Sequence, residues 1–137
     1  MPEVVTCIIK NIEDKILVLK RSNKVKTYQG LWSGVSGYVE KNETPIQTAY
    51  KEIKEETNLD KKNLKLIEQE KPIKFKDIYK NSQYLWKIYP FLFQLKSKNF
   101  DITIDWENTQ YKWIKPEEIT NFETVPKLKE VIKNIKL

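Results

Sequence analysis

Residues 44–58, TPIQTAYKEIKEETN, constrain the fold more than any other stretch, because they spell a helix with both ends marked and one side apolar. Thr44 suits an N-cap, Pro45 the first helical position, and Gln47 completes a Thr-x-x-Gln capping box. Ile46, Ala49, Tyr50 and Ile53 recur at i, i+3, i+4 and i+7, giving a stripe to be packed against something. Asn58 is placed to end the helix in a left-handed conformation, where Asn is second to Gly. The partner for that stripe is legible too. Residues 4–9 and 16–19 are β-branched or apolar runs joined by the polar Asn11-Ile-Glu-Asp14, which reads as a hairpin. LKLIEQE, IKF, the apolar-aromatic run 84–95 and TQYKWI (109–114) supply further strands, with 84–95 expected as a long central one. A short helical turn is expected at 116–119 and an amphipathic helix over 125–135. The predicted fold class is α/β or α+β, one domain over 1–137, with helices packed on a mixed sheet.

What the chain lacks narrows its chemistry. It has no histidine and one cysteine. Ser-His-Asp and Cys-His catalysis, histidine zinc sites and thiolate zinc cages are therefore excluded. If the protein is an enzyme, its proton transfer and metal ligation must rest mainly on carboxylates, and oxygen donors favour hard cations such as Mg2+ or Mn2+. Cys7 lies in an apolar run and is expected as a small core residue, with a cytoplasmic setting as the default. No apolar run approaches the length that spans a membrane, and no secretory signal opens the chain. With 25 Lys and Arg against 19 Asp and Glu, the net charge of +6 favours anionic partners. The lysines are scattered, which weakens a case for a dense nucleic-acid tract.

Against that basic background, Glu52, Glu55 and Glu56 stand at i, i+3 and i+4 of the helix. Such carboxylates repel by a few tenths of a kcal/mol per pair, roughly. Their mean direction lies about a third of a turn from the Ile46/Ile53 face, so they are expected on the flank of the packed stripe. Taken alone, they fit a solvated Glu/Lys surface as well as a cation site. All three glycines, Gly30, Gly34 and Gly37, fall just ahead, in QGLWSGVSGYVE, where the backbone must bend or approach something closely.

The longer frame, Gly37, Glu43, Lys51-Glu52-Ile53, Glu55-Glu56 and Asn58-Leu59, resembles the Nudix box, Gly-x5-Glu-x7-Arg-Glu-U-x-Glu-Glu-x-Gly-U, with U a bulky aliphatic residue. Seven of nine specified positions match; Lys51 stands for Arg and Asn58 for Gly. A strand ending in Leu19-Lys-Arg21, the GLWSGVSG approach and YKWI followed by Pro-Glu-Glu-Ile extend the resemblance over most of the chain.

The resemblance implies an α/β/α sandwich that binds Mg2+, or Mn2+, and hydrolyses a diphosphate linkage in a nucleoside diphosphate derivative. It implies Glu52, Glu55 and Glu56 as metal ligands, joined by the backbone carbonyl of Ser36. Gly37, Glu43 and Lys51 would support the site, Glu43 by holding its loop or pairing with Lys51. Glu107, six positions before Trp113, is the expected later acid, as ligand or general base, with Asp105 and Asp101 as competitors. Glu52 and Glu107 are the first candidates for the base, and Glu55 belongs to the catalytic set. Arg21 is expected on substrate phosphates, where its bidentate fork is suited. Tyr28, Trp32 and Tyr84 are candidates for base stacking, though aromatics so frequent are more often core. The lysine-rich 71–88 stretch is a further candidate for a long phosphate chain. Small nucleotides and RNA 5′ ends both remain open as partners. A non-catalytic nucleotide- or RNA-binding module is the alternative function, and a metal-dependent isomerase is disfavoured by the absence of histidine.

Overall fold

The computed structural model describes residues 1–98 and 100–135. Its strands form one mixed eight-stranded sheet: β1 (Glu3–Lys10), β2 (Ile16–Arg21), β3 (Trp32–Ser33), β4 (Val35–Tyr38), β5 (Leu64–Gln69), β6 (Ile73–Tyr79), β7 (Ser82–Leu95) and β8 (Asn108–Ile114). The central path runs β3-β2-β1-β7-β5, with β4 on β1, β6 on β7 and β8 on β2. β1 and β7 pair in parallel over eight residues, from Glu3↔Lys87 to Lys10↔Gln94. The remaining pairings are antiparallel.

Alternation along the central strands builds two cores, one per face. Val5, Cys7 and Ile9 of β1, Leu17 and Leu19 of β2, and Phe91 and Phe93 of β7 pack under helix α1 (Pro45–Thr57). Ile8, Ile16, Val18 and Leu92 point the other way, onto helix α2 (Leu128–Asn134). The result is the expected layering of helices on both faces of a mixed sheet.

The helix boundaries follow local chemistry. Thr44 caps α1 as a full capping box: its Oγ1 accepts from the Gln47 amide at 3.4 Å, and its own amide donates to Gln47 Oε1 at 2.9 Å. Asn58 takes φ 64° and its amide donates to the Lys54 carbonyl. The second helix is shorter than its periodicity suggests. Lys127, at φ 72°, cannot continue a right-handed helix, so α2 begins at Leu128 and Val125 lies outside it. Residues 123–125 instead bond to Trp32, lengthening the edge at β3. At the start of the chain, Asn11 Oδ1 accepts from Glu13 and Lys15 and closes the first hairpin. Among the described residues no helix is long and apolar enough to cross a membrane.

Candidate active site

The buried side of α1 is wider than its apolar stripe. Two adjacent rows face inward, Thr48-Glu52-Glu56 and Ala49-Ile53-Thr57. Ile46 and Tyr50 are only partly buried against the same core. Glu52 and Glu56 therefore do not sit on an exposed flank: they are 8% and 2% exposed, whereas Glu55 faces solvent. The physical reason is opposite them. A Cβ on Gly37 would lie 2.3 Å from Glu52 Cδ and 2.6 Å from its Oε1, so only glycine lets this carboxylate enter. Gly34 also meets the sheet closely, since a Cβ there would lie 2.7 Å from the Cys7 carbonyl oxygen.

Glu107 arrives from the loop before β8. Thr103 donates its amide to the Thr57 carbonyl at the end of α1, and Ile102 and Ile104 pack on the first core. Asp105 Oδ1 then accepts from the Glu107 amide at 3.1 Å, and the Glu107 carbonyl accepts from the Ser22 amide at 2.8 Å. Glu52, Glu56 and Glu107 each thereby offer a carboxylate oxygen within 4.8 Å of the others. Asp105 shapes the turn rather than joining the trio, and neither it nor Asp101 belongs to the cluster.

Three carboxylates this close hold protons more tightly than free ones. Burial first, then the charges of Glu55 and Glu107, push Glu52 up to about 7. Burial, with Glu107 and Glu52 adding to it, raises Glu56 well above the usual range. Glu107 is raised by burial and by Asp105, with Arg21 opposing. Among the described residues, Asn108 Nδ2 donates to Glu56 Oε1 at 3.2 Å, while Oε2 is buried without a hydrogen-bond partner unless a proton is shared with Glu52. A buried oxygen with no donor among neighbouring carboxylates is costly unless a proton or a cation completes it. Hard oxygen donors, a cradle opened by Gly37 and an unpaired Oε2 fit a divalent ion of the Mg2+ type.

Support around the trio is local. Glu43 pairs with Lys51 at 2.8 Å, while Thr48 Oγ1 donates to Glu43 Oε1 at 2.8 Å and the Glu40 amide donates to the same oxygen. Lys51 makes this pair through its single ammonium, where a guanidinium fork would offer two parallel donors. Arg21 is half-buried, and burial lowers its pKa against the opposing pull of Glu56 and Glu107. Its Nε and Nη2 both donate to the Thr27 carbonyl, at 3.0 and 2.9 Å, which leaves three of a guanidinium's five N–H donors for a ligand.

Ser36, Gly37, Arg21 and Glu107 also border a cavity of about 360 Å3 that runs onto the α2 face of the sheet. Its walls include Phe75, Trp86, Ile88 and Trp106, with Lys24, Lys26 and Lys127 at hand. The aromatic expectations divide. Tyr28 borders the cavity; Tyr84 stacks on Trp86 at 5.1 Å without lining it; Trp32 is buried in the second core against Phe122. Lys74 and Lys76 alternate with Phe75 on the exposed side of β6, so the lysines of the 71–88 stretch do not line the cavity. Asn108, Trp106, Trp86, Phe75 and the three cavity lysines escaped the sequence reading. The alternation of Ile73, Phe75 and Asp77 with lysines is the signal that would have found one of them.

A mixed sheet between two helices, with a buried carboxylate trio beside an open cavity, is an arrangement suited to a divalent cation and to phosphate chemistry. The sequence profile of the NUDIX domain matches residues 1–135, and the chain belongs to the NUDIX family. It is a hydrolase acting on phosphoric anhydride bonds. An RNA pyrophosphohydrolase of Pelagibacter ubique (strain HTCC1062) is 32% identical over 142 residues, covering 94% of this chain and 85% of that protein. The fold is similar to the dihydroneopterin triphosphate pyrophosphohydrolase of E. coli, with a TM-score of 0.81 at 22% identity over 97% of this chain and 93% of that one. A C. elegans Ap4A hydrolase gives a TM-score of 0.78 at 20% identity, with the same coverage of both chains.

Proposed function

We propose that residues 1–137 act as one catalytic unit that hydrolyses the diphosphate linkage of a nucleoside diphosphate derivative, using Mg2+, with Mn2+ able to replace it. The observation that carries this reading is the buried Glu56 Oε2, unpaired beside Glu52 and Glu107. Glu52, Glu56 and Glu107 would hold the ion, with the exposed Glu55 and the Ser36 carbonyl completing its oxygen shell. The ion, when bound, screens the charge of the diphosphate and acidifies a water. The chain's own residues do the rest. Glu107 or Glu52 takes a proton from the attacking water, since no histidine is available to do so. Glu55, at the solvent edge, can pass it on to bulk water. Arg21, held by Thr27, offers its remaining N–H donors to phosphate oxygens as the P–O bond to the leaving group breaks. Gly37, Glu43 and Lys51 keep the helix and its preceding loop in register for these contacts. The buried free thiol of Cys7 suits a reducing, cytoplasmic setting.

The 32% identity to an RNA pyrophosphohydrolase makes RNA 5′ ends the second substrate class to test. A hydrolysis screen over nucleoside triphosphates, dinucleoside polyphosphates, nucleotide sugars and 5′-triphosphorylated RNA, with Mg2+ or Mn2+ and product masses recorded, decides the matter. Cleavage at an anhydride bond that stops in EDTA is the expected result. Binding without release of any phosphate-bearing product would favour the non-catalytic alternative. An RNA substrate would further show affinity falling steeply with salt.

A further inference from the structure

Trp106 is unlike the other tryptophans of this chain. Trp32 and Trp86 are buried, and Trp113 is packed against the first core, but Trp106 is 59% exposed. Among the described residues it makes no ring contact, while every other aromatic bordering the cavity has one: Tyr28, Tyr38 and Trp86 among themselves, and Phe75 under the Lys127 ammonium at 5.5 Å. Its backbone is nonetheless held on both sides. The Asp105 carboxylate accepts from the Glu107 amide, the Asn108 amide donates to the Asp105 carbonyl at 3.3 Å, and the Glu107 carbonyl accepts from Ser22. A large apolar ring is thus carried on a fixed turn, one residue from the carboxylate trio, at the cavity wall. Holding it there exposed has no packing benefit that the structure displays.

We propose that Trp106 is the stacking platform for the heteroaromatic base of the substrate, and so the residue by which this enzyme prefers nucleoside polyphosphates to diphosphates without a base. This rests on the reading that Glu52, Glu56 and Glu107 face the phosphates. With phosphate at Glu107, the adjoining ring is the first apolar surface the nucleoside meets. An indole face accepts any base by stacking, without hydrogen-bond readout. Trp86 and Ile88 give the cavity an apolar floor, and Lys24, Lys26 and Lys127 favour an anionic ligand at its rim. A linear polyphosphate has no flat apolar surface to cover the indole, so it forgoes this contact altogether.

The test compares two probes that differ in the base: the β,γ-imido analogue of ATP and inorganic tripolyphosphate. Dissociation constants are measured by calorimetry with Mg2+ and again with EDTA, for the wild type, Trp106→Ala and Trp106→Phe. The wild type should prefer the nucleotide. Trp106→Ala should reduce that preference by roughly 5- to 150-fold, the range for losing one base–aromatic stack. Trp106→Phe, which keeps a ring, should restore most of it. Nucleotide binding should also quench tryptophan emission in the wild type and much less in Trp106→Phe. A preference that is absent in the wild type, or unchanged in Trp106→Ala, overturns the proposal. The metal reading fails separately: it is lost if Mg2+ alters the binding of neither probe, while the nucleotide preference is still measured in EDTA.

Discussion

Glu56 is the residue on which the proposed metal site turns, and Asn108 is the residue that would aim it. The Asn108 amide occupies Glu56 Oε1 and leaves Oε2 to the cluster. Groups that orient a metal ligand in this way typically change affinity or activity by about 10- to 100-fold when removed. Asn108→Ala should weaken Mn2+ binding by that order in a calorimetric titration, with the far-UV circular dichroism unchanged. The trio also predicts how the metal-free protein responds to pH. Glu52 rises from 4.5 to about 7 on folding, and Glu56 and Glu107 move in the same direction. The folded state thus keeps protons that the unfolded state releases, so this contribution is complete below pH 4.5 and is lost as pH rises through about 7. In EDTA the melting temperature should accordingly fall over that window. The increment given by Mg2+ should grow over the same window, because the ion binds deprotonated carboxylates. Thermal melts with and without Mg2+ check this; an increment flat from pH 5 to 8, roughly, would contradict it. Spacing alone assigned Glu52 and Glu56 to one turn, but not their burial. For Glu52 that follows from Gly37, whose missing side chain acts across the sheet-to-helix interface and is invisible to helical periodicity.

At the scale of elements, the segment between β2 and β3 is pinned to the β6–β7 hairpin. Tyr28 takes φ 53°, an uncommon backbone for a bulky residue, and its hydroxyl donates to Asp77 Oδ2 at 2.6 Å while accepting from Trp86 Nε1 at 3.1 Å. Its ring lies 4.7 Å from that of Tyr79, whose hydroxyl in turn accepts from the Gln29 amide. Burial and the Asp77 hydrogen bond raise the Tyr28 pKa, so the proton stays on the phenol. The neighbouring Thr27 carbonyl is the one that holds Arg21. Tyr28→Phe strands the Asp77 carboxylate and the Trp86 N–H, at a cost of about 1–3 kcal/mol. It should lower stability by that amount in urea and raise KM more than it lowers kcat, because Arg21 loses its fixed support. Equal loss in both kinetic constants would argue against this role for the latch. Helix α1 and the strands β1, β2, β5, β7 and β8 were legible because their caps and periodicities are local. The latch joins residues about fifty positions apart and leaves no pattern in either segment. The early start expected for α2 failed for a similar reason, since the left-handed turn at Lys127 carries no glycine or asparagine to mark it.

Across the whole molecule, the sheet separates two tasks. One face buries α1 and fixes the carboxylates; the other, with α2, carries the cavity. Gly37, Arg21 and Glu107 stand where the two meet, so an ion at the trio and a ligand in the cavity would share one set of contacts. The box-like frame made the first task readable in the sequence, and the second was not, because its residues come from β1, β4, β6, β7 and the segment before α2. The most direct measurement of the central claim is anomalous difference density from a crystal soaked in MnCl2. The account predicts a peak within coordination distance of Glu52, Glu56 and Glu107, with Glu56 Oε2 as a ligand, and its disappearance in Glu56→Gln. A soaked crystal with no peak there, and the three carboxylates unmoved, would contradict it.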